Sequence, residues 1–190
     1  MTKTGLMTDF SPKANWQWQF DTEREKLMLN MGDYSIDIVY KANMLAFHSA
    51  DPVFFTIEDV ANYIELFDSI SLSDFPPQIS CTIIVHILAV GLFHKPLMPK
   101  SWLFKSLNSG TQEVNKGDRV TLTSSRTDQT GDYLVLENSD DFVLCMLVGD
   151  SHALTASKSL QQFQIVKVTR DKICLPEVET ENNWNSYQIF

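Results

Sequence analysis

The chain has 190 residues, with 24 acidic and 15 basic side chains and a formal net charge of −9. Hydrophobic residues make up 44%, too many for a disordered chain and ordinary for a globular one. The acidity argues against a general nucleic-acid binder, which must neutralise phosphates, and against docking on an anionic membrane surface.

The length fits one domain or two small ones. Met1 to Lys13 has no apolar core of the kind a secretory signal needs. The longest apolar stretch, Ile79 to Phe93, is interrupted by Ser80, Thr82 and His86. It falls short of the roughly 20 apolar residues of a spanning helix and reads as a buried core helix. Cys81, Cys145 and Cys174 are odd in number and sit in apolar runs. They read as reduced, structural thiols of a cytosolic protein.

Residues 1–14 are polar and aperiodic and read as a flexible leader. Asn15 to Phe20 alternates, placing Trp16, Trp18 and Phe20 on one face of a strand. Lys26 to Met31 alternates again through Leu27, Leu29 and Met31. After the Gly32-Asp33 turn, Tyr34, Ile36, Ile38 and Tyr40 form a third set. Three short strands with short turns predict an antiparallel meander. Thr56-Ile-Glu-Asp59 has the form of a helix start, with a capping threonine and an acid three residues on. Val60, Tyr63, Ile64 and Phe67 then mark the apolar face of a helix ending near Ser69, with Glu58, Asn62 and Glu65 opposite. Ser73 to Pro77 can cap and start a second helix, apolar on nearly every side from Ile79 to His94.

Lys95-Pro-Leu-Met-Pro99 cannot be helical throughout, because each proline disfavours helix at the residue before it. The junction between two domains is placed here, giving an N-terminal α/β domain over 15–98 and a C-terminal one over 99–176. In the second, the period returns to two. Strands are predicted at Arg119–Ser124, Tyr133–Glu137, Phe142–Val148, Phe163–Val168 and Lys172–Leu175, the pattern of a small all-β barrel-like domain. The expected fold class is therefore α+β. Residues 177–190 are acidic, then aromatic, and read as a flexible tail.

Chemistry is harder to find. No phosphate-binding glycine turn, nucleophile elbow, helical His pair or C-x-x-C spacing is present. Asp140-Asp141 lies between two apolar strands and reads as a turn. No catalytic, cofactor or metal residue is assigned. One constellation stands out. Phe93 to Lys105 carries Lys95, Lys100 and Lys105 with two prolines and Phe93, Trp102 and Phe104, and no acid falls between Asp74 and Glu113. Such a surface suits a peptide with acidic and apolar side chains, steered by lysines and anchored by aromatics. The alternative is that Trp102 and Phe104 are core residues and the lysines are merely solvated.

Two blocks carry a resemblance. Asn15-Trp16-x-Trp18, followed by Asp21 and Leu27-Met28-Leu29, is similar to the opening of the cell division protein ZapC family. Lys95-Pro96-x-Met98-Pro99-Lys100-Ser101-Trp102-x-Phe104 resembles that family's signature. The resemblance implies a non-enzymatic, cytoplasmic accessory factor at the midcell division ring. It would bind the tubulin-like GTPase FtsZ directly, possibly through the FtsZ C-terminal tail, promote lateral bundling of filaments and lower GTP turnover. It also implies an α/β N-terminal domain followed by a β-barrel-like one, and no cofactor. By the resemblance, Lys95, Lys100 and Leu29 are carried over as partner-binding positions, with Trp102 and Phe104 beside them. Leu29 has two readings, a groove position or sheet core. Bundling needs two contacts per particle, from two domains of a monomer or from a weak homodimer. The rival reading is a small cytosolic enzyme or ligand-binding protein with its site between the domains.

Overall fold

Three alternating segments zip into one sheet at the start of the chain. In the computed structural model, which describes residues 10–49, 51–70, 72, 75–106 and 113–176, these are β1 (Gln17–Asp21), β2 (Lys26–Asn30) and β3 (Ser35–Lys41). A two-residue strand, β4 (Val53–Phe54), completes an antiparallel sheet of order β3-β2-β1-β4. The register pairs Trp18 with Leu29 and Phe20 with Leu27. Because side chains alternate across a strand, this puts Trp16, Trp18, Phe20, Leu27 and Leu29 on one buried face. Of the flexible leader expected over 1–14, residues 10–14 are described. Phe10 packs edge-on against Tyr34, and its carbonyl accepts a 3.0 Å hydrogen bond from the Tyr63 hydroxyl. The rest of that leader, and the tail over 177–190, lie outside the described residues.

Two helices cover the sheet. Helix α1 (Ile57–Ser69) starts in a full capping box. Thr56 Oγ1 accepts from the Asp59 amide, and the Asp59 carboxylate accepts from the Thr56 amide. Its buried residues are Asp59, Tyr63 and Leu66, so the predicted face is rotated: Ile64 and Phe67 point outward. Helix α2 (Pro77–Phe93) begins with proline in its first turn. It is buried along most of its length, with Ile83, Ile84, Val85 and Ala89 fully covered.

The reason is that α2 lies between two sheets. The second holds β5 (Arg119–Thr123), β6 (Thr130–Asn138), β7 (Phe142–Leu147) and β10 (Ile165–Thr169), in the order β10-β7-β6-β5. A separate hairpin pairs β8 (Ser151–Thr155) with β9 (Lys158–Gln161). Leu134, Leu136, Met146, Val148, Phe163 and Ile165 join the core built around α2, so one apolar core spans both halves of the chain. Full burial of a Leu-sized side chain contributes roughly 1.5–3 kcal/mol, which makes this core the main stabilising element. The chain is thus of mixed α and β structure. The C-terminal half forms an open sheet plus a hairpin, and no closed barrel is present among the described residues. The strand expected at 172–175 is instead a 3-10 turn over Arg170–Lys172 followed by a single bridge, Cys174 to Thr121. The β8–β9 hairpin was not anticipated.

Two buried histidines hold these layers in register. His86 Nδ1 donates to the Thr82 carbonyl at 2.8 Å, and Nε2 accepts from the Val39 amide at 3.3 Å. Both ring nitrogens are therefore occupied by a neutral ring, stacked 4.4 Å from Phe163. Burial pushes its pKa down to about 4, against a small upward pull from the Thr82 carbonyl. Beside it, the Tyr40 hydroxyl donates to the Phe163 carbonyl at 2.8 Å and ties β3 to the second half. A second, smaller core lies within the C-terminal half, with Val120, Leu122, Tyr133 and Val135 among its residues. Beside it, His152 Nε2 donates to the Gln129 carbonyl, which leaves Nδ1 to accept from the Tyr133 hydroxyl at 2.7 Å. A Cβ at Gly131 would stand 2.6 Å from that Nδ1, so only glycine fits there. Cys81 and Cys145 are buried free thiols and Cys174 is a half-buried one.

Candidate partner-binding site

The segment from Phe93 to Lys105 is held open by backbone pairing at both ends. At the end of α2, the Ala46 amide donates to the Phe93 carbonyl and the Lys95 amide donates to the Met44 carbonyl. Prolines 96 and 99 then keep the chain from rejoining a helix. The Lys100 amide donates to the Lys167 carbonyl at 2.8 Å, and Ser101 Oγ accepts from the Thr169 amide at 2.8 Å. A 3-10 turn over Ser101–Leu103 follows, after which the Lys105 amide donates to the Thr123 carbonyl. The segment is therefore a strap from α2 across β10 to β5.

Between strap, α2 and the second sheet lies a groove of about 380 Å³. Val90, Leu97, Leu144 and Ile165 give it an apolar floor, and Lys95 and Lys167 stand on its rim. The Lys95 ammonium donates to the Asn43 carbonyl at 2.9 Å. The Lys167 ammonium sits 5.3 Å over the Phe142 ring. His94 also lines the groove. Burial lowers its pKa, with a smaller upward effect from its contact to the Lys95 carbonyl, so the ring adds no charge at neutral pH. A second cavity of about 340 Å³ shares Val90, Gly91, Glu137 and Leu144 with the first and extends it along α2 toward Lys116. Gly91 adds no side chain, and a Cβ there would meet nothing within 4 Å.

The five residues singled out in the sequence do not form one cluster. Lys95 lines the groove. Lys100 is half-buried next to it on the strap and, among the described residues, has no carboxylate within ion-pair distance. Trp102 is 71% exposed and Met98 is 78% exposed. They give the strap an apolar outer surface next to Lys100. Leu29 is 0% exposed and belongs to the sheet core opposite Trp18. Phe104 is 2% exposed and packs edge-on against Tyr133. Neither presents surface to a partner in this structure. Lys105 is paired with Asp128 at 2.8 Å. Two charged groove residues, Lys167 and Glu137, were not singled out from the sequence. Lys167 is a half-buried position between the buried Val166 and Val168, and that break in an apolar run is the signal that could have found it. Glu137 lines the groove wall, so a window free of acids in sequence is not free of them in space.

Two open antiparallel sheets around one buried helix, with a lysine-rimmed apolar groove at their seam, define a protein of mixed α and β structure. Sequence comparison places it. The family descriptions "Cell-division protein ZapC, N-terminal" and "Cell-division protein ZapC, C-terminal" match residues 9–95 and 96–179. The chain belongs to the ZapC family of cell division proteins. The cell division protein ZapC of Psychromonas ingrahamii is 52% identical over 171 residues, covering 90% of this chain and 91% of that protein. The one from Aeromonas hydrophila is 28% identical over 163 residues, covering 85% and 90%. The one from Vibrio cholerae is 29% identical over 169 residues, covering 85% and 89%. The families' junction between residues 95 and 96 falls at the start of the strap. Among the described residues no helix is long and apolar enough to cross a membrane, and no three His, Cys, Asp or Glu side chains gather to hold a metal.

Proposed function

We propose that this chain is a non-enzymatic accessory factor of the division ring that binds FtsZ. It would work in the cytoplasm at midcell, hold FtsZ filaments side by side and lower their GTP turnover by slowing subunit exchange. The observation that carries the reading is the apolar groove with Lys95 and Lys167 on its rim, next to the strap with its half-buried Lys100 and exposed Trp102. An extended peptide with apolar and acidic side chains fits it, the apolar groups on the floor and the acids toward the lysines. The FtsZ C-terminal tail is the peptide proposed. Lys95, Lys100 and Trp102 would make the contact. Leu29 and Phe104 would act beneath it, by holding the sheet and the strap in place.

Co-sedimentation with FtsZ and GTP tests this. Wild type is expected to pellet with filaments. Lys95→Glu combined with Lys100→Glu is expected to stay in the supernatant while its thermal midpoint is unchanged, since neither side chain is in a core. Equal pelleting of the reversed protein removes the lysines from the contact. A wild type that stays in the supernatant at micromolar concentration removes FtsZ. The groove volume also favours one rival, a small-ligand site between the two halves. A thermal shift with a metabolite panel and a GTP hydrolysis assay on the chain alone test that reading.

A further inference from the structure

Helix α1 carries a second surface of opposite character to the strap. Ile57 is 89% exposed, Ile64 is 50% exposed and Phe67 is 58% exposed. Ile57 and Ile64 are seven residues apart, two helical turns, and Phe67 follows three residues later, so the three share one stripe. The half-buried Val60 lies between them, at the edge of the core. The buried side of the helix, through Asp59, Tyr63 and Leu66, faces elsewhere. The stripe is therefore not the core face frayed outward. It is a separate apolar face that the fold leaves uncovered.

Charge says what could cover it. The helix contains Glu58, Asp59, Glu65 and Asp68 and no basic residue. Asp59 is used in the capping box. Glu58, Glu65 and Asp68 are exposed and, among the described residues, none is in an ion pair. The last turn holds no basic residue of its own either, so the helix adds no positive side chain to the partial negative charge of its C-terminus near Phe67. Lys116 lines one cavity with Asp59, Asn62, Glu65 and Leu66, a set of α1 positions that does not include Ile57, Ile64 or Phe67. A second copy of α1 laid on the first would bring three exposed acids against three. An anionic membrane or a nucleic acid would be repelled in the same way.

We infer that the Ile57–Ile64–Phe67 face is a docking surface for a basic amphipathic segment of a partner protein, an i, i+3, i+7 apolar row flanked by lysine or arginine. Helix-on-helix docking of this kind anchors apolar side chains along one row and takes its register from flanking charge. The inference is independent of the FtsZ reading, because the groove beside Lys95 would take a peptide of the opposite charge. The two surfaces together would give one molecule two different contacts, which is what bridging requires.

The test uses the full chain and a fluorescent 14-residue probe with leucine in a helical row and lysine elsewhere. Two control peptides carry the same leucines with glutamate, or the same composition scrambled. Wild type is expected to bind the helical lysine probe at least about tenfold more tightly than either control, a gap of about 1.4 kcal/mol. Ile64→Ser with Phe67→Ser, and separately Glu65→Lys with Asp68→Lys, should each lose that preference with unchanged thermal midpoints. Equal binding of the scrambled peptide would overturn the proposal, because it would show general attraction to an acidic protein. A concentration-dependent dimer of wild type that Ile64→Ser with Phe67→Ser abolishes would also overturn it, by giving the face to a second copy. So would probe binding that emerges only after deletion of residues 177–190, which would make the chain's own tail the occupant.

Discussion

Helices α1 and α2 are neighbours in sequence and opposites in role. Helix α2 has sheets on two sides, so its burial is nearly continuous and its sequence reads as apolar all round. Helix α1 has a sheet and α2 on one side only, yet it too carries apolar residues around much of its circumference. In α2 the excess apolar surface is absorbed by the C-terminal half, through Leu134, Leu136, Met146, Phe163 and Ile165. In α1 no part of the described fold absorbs it. Apolar content alone therefore does not separate a core helix from one with a surface left for a partner. What separates them is how many layers the fold supplies.

Equivalent substitutions in the two helices should have very different costs. Ile84→Ala in α2 removes a fully buried side chain and should cost about 2–5 kcal/mol in denaturant unfolding. Ile64→Ala in α1, half exposed, should cost well under about 1 kcal/mol. Similar losses at both sites would mean that α1 is covered in solution.

The next largest effect is pH dependence at the seam between α2 and the second sheet. The His86 pKa is pushed below its ordinary value to about 4 by burial. The unfolded chain takes up a proton near pH 6.5 while the folded chain does not. Stability from this group is therefore full above pH 6.5, falls as the pH drops through that window and levels off below about 4. The loss is on the order of 3 kcal/mol. NMR titration of the ring should show it neutral at pH 5. Titration near 6.5 would mean that the seam is open to water.

The smallest effect is a gain. Gly91 lies within α2, and an added Cβ meets nothing within 4 Å. Gly91→Ala should stabilise the protein by up to about 1 kcal/mol through backbone entropy and helix propensity, measured as a raised thermal midpoint. An unchanged or lowered midpoint would mean that the space beside Gly91 is not free.

The same contrast explains what could be read from the sequence. The alternation that predicted three strands is the one that buries Trp16, Trp18 and Leu29, because a strand's faces follow directly from a period of two. The α1 start was legible because a capping box is a local event. Its orientation was not. Six apolar residues on a helix allow several core directions, and tertiary contacts chose the one through Tyr63, which meets Trp16 edge-on at 5.7 Å. The β8–β9 hairpin is short and largely exposed on its second strand, so its apolar signal was too weak to stand out. In the site, Lys95 and Lys100 were visible as lysines in an acid-free window. Lys167 and Glu137 were not, since they reach the groove from β10 and β6, far along the chain. Sheet closure in the C-terminal half was likewise unreadable, because strand rhythm is the same in an open sheet and in a barrel.

The most direct test of the account is a map of where an FtsZ C-terminal tail peptide touches this chain. With isotope-labelled full-length protein, backbone amide shifts should move at Val90 to Lys95 and at Ile165 to Lys167, and α1 should stay still. Shifts confined to α1, or to the β8–β9 hairpin, would contradict the groove as the FtsZ site.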